Sequence, residues 1–241
     1  MAIKCVIFDL GDTVWSTKKA KREMKPLDFD QKWLAANGFR FGKARIREAR
    51  AKTEIEARIT SLTAKGTYGK YSFILLKNLG IKATKRMALK AEDEYYAEFD
   101  RHLKLMPNAR RILSWLNREK FTVLALTNAH TKPQKHRLRK MDLMRHFNKV
   151  FISESLDYEK SSVVPFRIAL KWLKPKGIKA AECLMVGNDY VEDASAKKAG
   201  IKTVILTANA SKKDRAAAKP DYEIKDLIEL KEIIRKLNER K

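Results

Sequence analysis

The stretch that most constrains the fold lies near the N-terminus: Cys5-Val6-Ile7-Phe8-Asp9-Leu10-Gly11-Asp12-Thr13. Four apolar residues run without alternation into a carboxylate, followed by a glycine, a second acid and a threonine. A short continuous apolar run bounded by polar residues reads as a strand buried on both faces. Such strands belong to parallel sheets covered by helices. In open parallel sheets, ligands bind beyond the carboxyl ends of the strands. Asp9 therefore stands where a sheet would present a reactive group. Taken alone, an acid at a strand end also fits simple solvation, so the rest of the chain has to decide.

The 241 residues suffice for one large domain or two modest ones, and 44% hydrophobic residues can build a core. No run approaches a membrane span. The first apolar run is too short for a signal peptide and ends in Asp9, so a cytoplasmic, membrane-free protein is expected. Cys5 and Cys183 both sit in or beside apolar strand candidates and read as buried thiols in a reducing compartment, not as a disulfide. No Cys/His cluster has zinc spacing. The net charge of +24 favours anionic partners. It is spread, however. Residues 15–105 carry 22 basic and 11 acidic residues, leaving +13 on the remainder. The spread favours a solvated lysine-rich surface that steers a small anionic substrate over a nucleic-acid partner.

After Thr13 the pattern turns helical for about ninety residues. Helices are expected over Pro26 to Asn37, Lys43 to Ala64, Tyr68 to Leu79 and Lys85 to Leu103, several stopped by glycine. From Pro107 onward strands alternate with helices. Strands are expected at Phe121 to Leu126, Val150 to Ile152, Cys183 to Val186, Thr203 to Leu206 and Tyr222 to Ile224. Helices are expected at Asn108 to Asn117, His130 to Met141, Ser162 to Leu173, Ser195 to Ala199 and Asp226 to Leu237. The only low-complexity loop is Ala208 to Lys219. Alternation of this kind predicts an α/β fold with a doubly wound parallel sheet. The expected division is a core of residues 1–14 and 106–241, with an all-helical domain at 15–105 inserted after the first strand.

Three strands end in reactive or ligating groups: Asp9, Thr127-Asn128 and Asn188-Asp189. Lys160 is expected to open the helix after the third strand, on the same sheet edge. A carboxylate nucleophile, a hydroxyl donor, a fixed cation and further carboxylates are what phosphoryl transfer requires. The anionic phosphate must be neutralised before a carboxylate can attack it. Oxygen ligands at strand ends suit Mg²⁺. Asp9 would form a covalent aspartyl intermediate, later opened by water.

These motifs resemble those of the haloacid dehalogenase-like hydrolase superfamily, in the subgroup with a helical cap inserted after the first strand. Asp9 and Thr13 match the first motif, Thr127-Asn128 the second, and Lys160 with Phe166, Ala169 and Leu170 the third, with Ser161 in place of a proline. Gly187-Asn188-Asp189, Asp193, Ala196 and Ala199-Gly200 match the fourth. The resemblance implies a Mg²⁺-dependent phosphatase acting on a small phosphorylated metabolite. Asp9 is the implied nucleophile, and Thr127, Asn128 and Lys160 hold the phosphoryl group. Asp9, the Gly11 carbonyl, Asn188 and Asp189 would hold the metal. Thr13 and Asp193 stand behind them, with Asp193 either orienting Lys160 or starting a helix.

Two positions depart from the pattern. Gly11 stands where the family's phosphatases carry a general acid and base, and the acid comes one residue later, as Asp12. Asp12 either takes over that role or is a turn residue. Asn188 replaces the first acid of the fourth motif. Gly11 therefore keeps two rivals open, a metal-free 2-haloacid dehalogenase and a binding or regulatory protein with weakened turnover. An anion or nucleic-acid binder is a third. Arg45, Arg47, Arg50 and Arg58 are candidate anion contacts on charged helices. Trp15 either lines a cleft or packs. Tyr71, Tyr95 and Tyr96 read as cap interior, and His130 and His136 as surface.

Overall fold

The first strand, β1 (Cys5–Phe8), is fully buried in the computed structural model, which describes residues 2–59, 65–209 and 219–239. It lies between β2 (Thr122–Thr127) and β4 (Cys183–Gly187), parallel to both, with Cys5 in register with Thr122 and Cys183. β3 (Lys149–Ile152) extends the sheet beyond β2, and β5 (Lys202–Leu206) and β6 (Tyr222–Ile224) extend it beyond β4. The order is β3-β2-β1-β4-β5-β6, with every neighbouring pair parallel. The winding therefore reverses between β1 and β4. That reversal opens a crevice at the carboxyl ends of those two strands. The expected α/β doubly wound sheet is the observed one.

The chain divides into two compact units, Met1–Ser16 with Leu105–Lys241, and Thr17–Lys104. In the first unit, helix spacing turns apolar residues onto the sheet. Phe166, Ala169 and Leu173 of one helix (Val164–Leu173) join Leu124, Leu126 and Met185 in one buried cluster. Each buried Phe, Leu or Met side chain of this cluster contributes roughly 1.5–3 kcal/mol on burial. Ile112, Leu113 and Leu116 do the same from Ala109–Arg118. The last helix (Leu230–Glu239) is preceded by a 3₁₀ turn, Leu227–Glu229. Asp226 accepts the Ile228 amide at 2.9 Å, and Glu229 accepts the Asp226 amide at 2.7 Å, a reciprocal cap. Cys5 and Cys183 are free and buried. A hydrogen bond between the two thiols, and then burial, push the Cys5 thiol above its ordinary range. Trp15 is buried and pairs in isolated bridges with Gly11 and Leu105, so it packs.

The second unit is all helical: Thr17–Met24, Pro26–Ala36, Lys43–Ile59, Lys70–Asn78 and Lys85–His102. Its core gathers Trp33, Leu34, Ile46, Leu75, Leu76 and Leu79. A ring cluster joins Phe29, Tyr95, Tyr96 and Phe99, so Tyr95 and Tyr96 pack inside this unit, as does Tyr71 against the core. Two of the arginine candidates are already engaged. Arg50 pairs with the buried Asp30, and Arg45 donates to the Leu79 carbonyl at 3.1 Å. Arg47 is exposed.

Several expectations are corrected. The helix Thr17–Met24 falls in the stretch expected to be helical but has no expected bounds of its own, because its lysine-rich face buries only Ala20 and Met24. A four-residue helix, Ser153–Leu156, follows β3, and Lys160 lies in the loop beyond it rather than opening Val164–Leu173. Ala194–Ala199 is a 3₁₀ helix. His130 is buried, 3.2 Å from Glu154, whereas His136 is exposed as expected. The expected continuation over residues 60–64, the Arg58 side chain and residues 210–218 of the loop Ala208 to Lys219 lie outside the described residues.

Candidate active site

Asp9 follows β1 directly, and its amide donates to the Val186 carbonyl of β4 at 2.8 Å. This bond carries the strand pairing one residue past the sheet and fixes the carboxylate at the reversal point. The chain then turns tightly. The Val14 amide donates to the Leu10 carbonyl at 2.8 Å, and the Asp12 amide to the Trp15 carbonyl at 2.6 Å. Asp12 takes the left-handed conformation, φ 57°. Gly11, the residue that tolerates that region best, is not the one that uses it. Asp, with its short polar side chain, is among the few other residues that enter it. Asp12 is thus a buried turn residue.

Lys160 crosses to the same place. Its Nζ lies 2.6 Å from Asp9 Oδ1 and 2.6 Å from Asp193 Oδ1, and all three groups are buried. Burial alone would pull the lysine pKa down, but the two carboxylates outweigh it and hold the ammonium charged, above its ordinary range. Burial pushes the Asp9 carboxyl up; Lys160 pulls against that shift, and the second anion, Asp193, adds to it. With both acids ionised, one cation between them leaves the cluster with a net charge of about −1, which a further cation would balance.

Asp193 ties this cluster to the loop after β4. Its Oδ2 accepts the amides of Asn188 at 3.0 Å and Asp189 at 2.9 Å. It lies so close over Gly187 that a Cβ there would meet Asp193 Oδ2 at 2.0 Å. Only glycine leaves room for the carboxylate. Of the two readings open for Asp193, the lysine contact is the one observed; it also precedes the 3₁₀ helix. The Thr13 hydroxyl lies 3.3 Å from Asp9 Oδ2 and 3.1 Å from Asn188 Oδ1, bridging the loops after β1 and β4.

The peptide of Lys160 is held at both ends. Asn128 Oδ1 accepts its N–H at 3.0 Å, and the Ser195 hydroxyl lies 2.7 Å from its carbonyl. Asn128 Nδ2 in turn donates to Glu192 Oε2 at 2.9 Å. Thr127 is buried at the end of β2, where Gln134 Nε2 donates to its Oγ1 at 3.2 Å. Glu192, Ser195 and Gln134 were not singled out from sequence. No motif spacing marks them, because each reaches the site only through the fold.

The oxygen donors that Mg²⁺ would use are partly engaged already. Asp9 Oδ2 and Asn188 Oδ1 converge on one hydroxyl. Asp189 Oδ1 is committed to the amides of Val191 and Glu192, both at 2.8 Å, which leaves its second oxygen for a ligand. Among the described residues no group of three or more His, Cys, Asp or Glu side chains surrounds a metal position. The donor set therefore fits a hard ion held by one or two carboxylates and neutral oxygens, not an all-carboxylate cage. Mg²⁺, which keeps several waters, is commonly held that way.

A family model for haloacid dehalogenase-like hydrolases matches residues 3–200. The chain belongs to that hydrolase family. Among curated relatives, the ribulose-1,5-bisphosphate 5-phosphatase of Halopiger xanaduensis is 29% identical over 155 residues. That match spans 61% of this chain and 64% of the relative, just under two thirds of its length. The glyceraldehyde 3-phosphate phosphatase of Pyrococcus furiosus is 25% identical and matches over 98% of this chain and 95% of its own. Among solved structures, the 2-haloacid dehalogenase of Pseudomonas syringae pv. Tomato superposes with a TM-score of 0.69 at 25% identity, covering 97% of this chain and 99% of that one.

Proposed function

We propose that this hydrolase is a Mg²⁺-dependent phosphatase of a small phosphorylated metabolite. The observation that carries the reading is the buried Asp9–Lys160–Asp193 cluster at the reversal point of the sheet. Asp9 attacks phosphorus, forming an acyl phosphate as the bond to the leaving oxygen breaks. Lys160 and the Thr127 hydroxyl bind the phosphoryl oxygens and offset their charge. Water then attacks the same phosphorus and restores the Asp9 carboxylate, releasing inorganic phosphate. Asp193 keeps Lys160 aimed, and Asn128 and Ser195 keep its peptide still. Thr13 orients Asp9. Mg²⁺, held by Asp9, the Gly11 carbonyl, Asn188 and Asp189, would supply further positive charge to the phosphoryl oxygens. No side chain stands at position 11 to protonate the leaving group, and Asp12 belongs to the turn, so the leaving oxygen takes its proton from solvent water. The phosphatase relatives support this substrate class.

The test is hydrolysis of an aryl phosphate with Mg²⁺ or with chelator, comparing the parent with Asp9→Asn. Mg²⁺-dependent release of phosphate that disappears in the variant is expected. Equal inertness of both proteins, with no Mg²⁺ binding by the parent, would sink the reading. Gly11 and the likeness to a solved dehalogenase favour a second reading, metal-free hydrolysis of 2-haloacids. Halide release that is indifferent to chelator would identify it.

A further inference from the structure

Gln134 and Arg137 lie three residues apart on one helix, Thr131–Lys140, so their side chains share a face. Both are buried. Arg137 Nη1 donates to Gln134 Oε1 at 3.4 Å, and Gln134 Nε2 donates to Thr127 Oγ1 at 3.2 Å. The direction of this chain follows from donor chemistry. A guanidinium has donors and no acceptor, so the amide edge facing Arg137 has to be the carbonyl oxygen. The reversed amide would set two donors against each other. The NH₂ edge therefore faces Thr127, whose hydroxyl oxygen accepts. The single hydroxyl proton of Thr127 must then point elsewhere. No acceptor for it exists among the described residues, although the side chain is buried. A buried donor left unmatched is unfavourable and calls for a partner.

We propose that Gln134, held in one amide orientation by Arg137, is a positioning residue that fixes Thr127 as a hydrogen-bond donor to the phosphoryl group. This rests on the phosphatase reading. A hydroxyl free to rotate could present lone pairs to an anionic oxygen as readily as its proton. Holding the proton outward removes that wrong state before substrate arrives, which is preorganisation of the kind that stabilises developing charge.

The experiment uses three single variants and one double. In Gln134→Glu the introduced carboxylate keeps Arg137 as a partner but accepts the Thr127 proton, turning the hydroxyl inward. Its kcat/KM on aryl phosphate should fall about 100-fold, the scale of losing one preorganised donor. Its Kd for inorganic phosphate, read by calorimetry, should rise about 10-fold, the scale of losing a charge-assisted hydrogen bond. Gln134→Met only frees the hydroxyl and should lose about 10-fold or less in kcat/KM, the scale of one neutral hydrogen bond. In a Thr127→Val background there is no hydroxyl to direct, so adding Gln134→Glu should change kcat/KM less than about 2-fold, the limit of additivity for uncoupled sites. An active parent in which Gln134→Glu and Gln134→Met behave alike, or in which Gln134→Glu is as damaging beside Thr127→Val, overturns the inference alone. A parent that neither hydrolyses aryl phosphate nor binds phosphate overturns the phosphatase reading and the inference with it.

Discussion

Replacing Gly187 by alanine probes the tightest contact in the site. The added methyl would meet Asp193 at 2.0 Å from Oδ2, 2.2 Å from Cγ and 2.7 Å from Cβ. All three are shorter than any packed contact, so the Asp193 side chain must leave. It would abandon the Lys160 ammonium at 2.6 Å and the amides of Asn188 and Asp189. Overpacking a rigid site costs about 1–3 kcal/mol. Losing hydrogen bonds to a buried charge costs about 1.5–3 kcal/mol more. The two overlap, and a net loss of about 3–5 kcal/mol is expected. Urea unfolding followed by circular dichroism should show a lower midpoint with an unchanged slope. The control is Asp193→Gly, which removes the obstructing side chain. In that background Gly187→Ala should cost less than about 1 kcal/mol, because the clash has gone and the ion pair is already lost. A loss below about 1 kcal/mol in the parent, or the same loss in both backgrounds, would refute the packing argument.

Lys160→Met leaves two buried carboxylates without their cation and should cost about 3–5 kcal/mol in urea unfolding. Lys160→Arg should fail to restore turnover, since the fork cannot reproduce a point charge shared at 2.6 Å between two acids. On the proposed phosphatase reading, Gly11→Asp would place an acid where the leaving oxygen departs. It should raise turnover of alkyl phosphates by about 10²-fold or more, with a much smaller gain on aryl phosphates, whose leaving groups need little protonation; an equal effect on both classes would refute that role. Asp221 titrates below the ordinary carboxylate range. Burial pushes it up, but the Thr203 amide and hydroxyl and Lys197 outweigh that. The folded state therefore binds fewer protons at this group than the unfolded state. Its stabilisation is complete above the unfolded value of 3.8 and is lost as the pH falls through the lower folded value. Asp221→Asn should flatten that acid limb of the unfolding profile, and an unchanged limb would count against the assignment.

The sheet is legible in the sequence because parallel strands buried on both faces leave continuous apolar runs. Cys5–Phe8, Thr122–Thr127 and Cys183–Gly187 each stop within a residue of the expected end. Helices that bury a wide stripe are legible too, as in Val164–Leu173. The bounds of Thr17–Met24 are not, because two buried residues in eight do not delimit a helix within the helical stretch. At the site, Asp9, Thr13, Lys160, Asn188 and Asp193 are marked by strand ends and motif spacing, and the fold gathers them within hydrogen-bond reach. Gln134, Glu192 and Ser195 carry no such mark. A glutamine in a lysine-rich helix looks solvated until the fold turns it onto Thr127. His130 likewise reads as surface until Glu154, from the helix after β3, closes over it.

The way the chain leaves and re-enters the sheet unit bears on its modularity. Trp15 bridges Leu105 in antiparallel fashion, and the Met106 amide donates to the Val14 carbonyl at 2.9 Å. The two crossing points are therefore hydrogen-bonded neighbours, although some ninety residues separate them in sequence. To the sheet, everything between is a single closed loop. Closure entropy grows only slowly with loop length, by about 0.6 kcal/mol per doubling. Exchanging the helical segment for a short hairpin, or for the equivalent segment of another protein, should disturb the sheet's folding little. Such a doorway lets the inserted segment be rebuilt while the hydrogen bonds that close the sheet unit stay untouched.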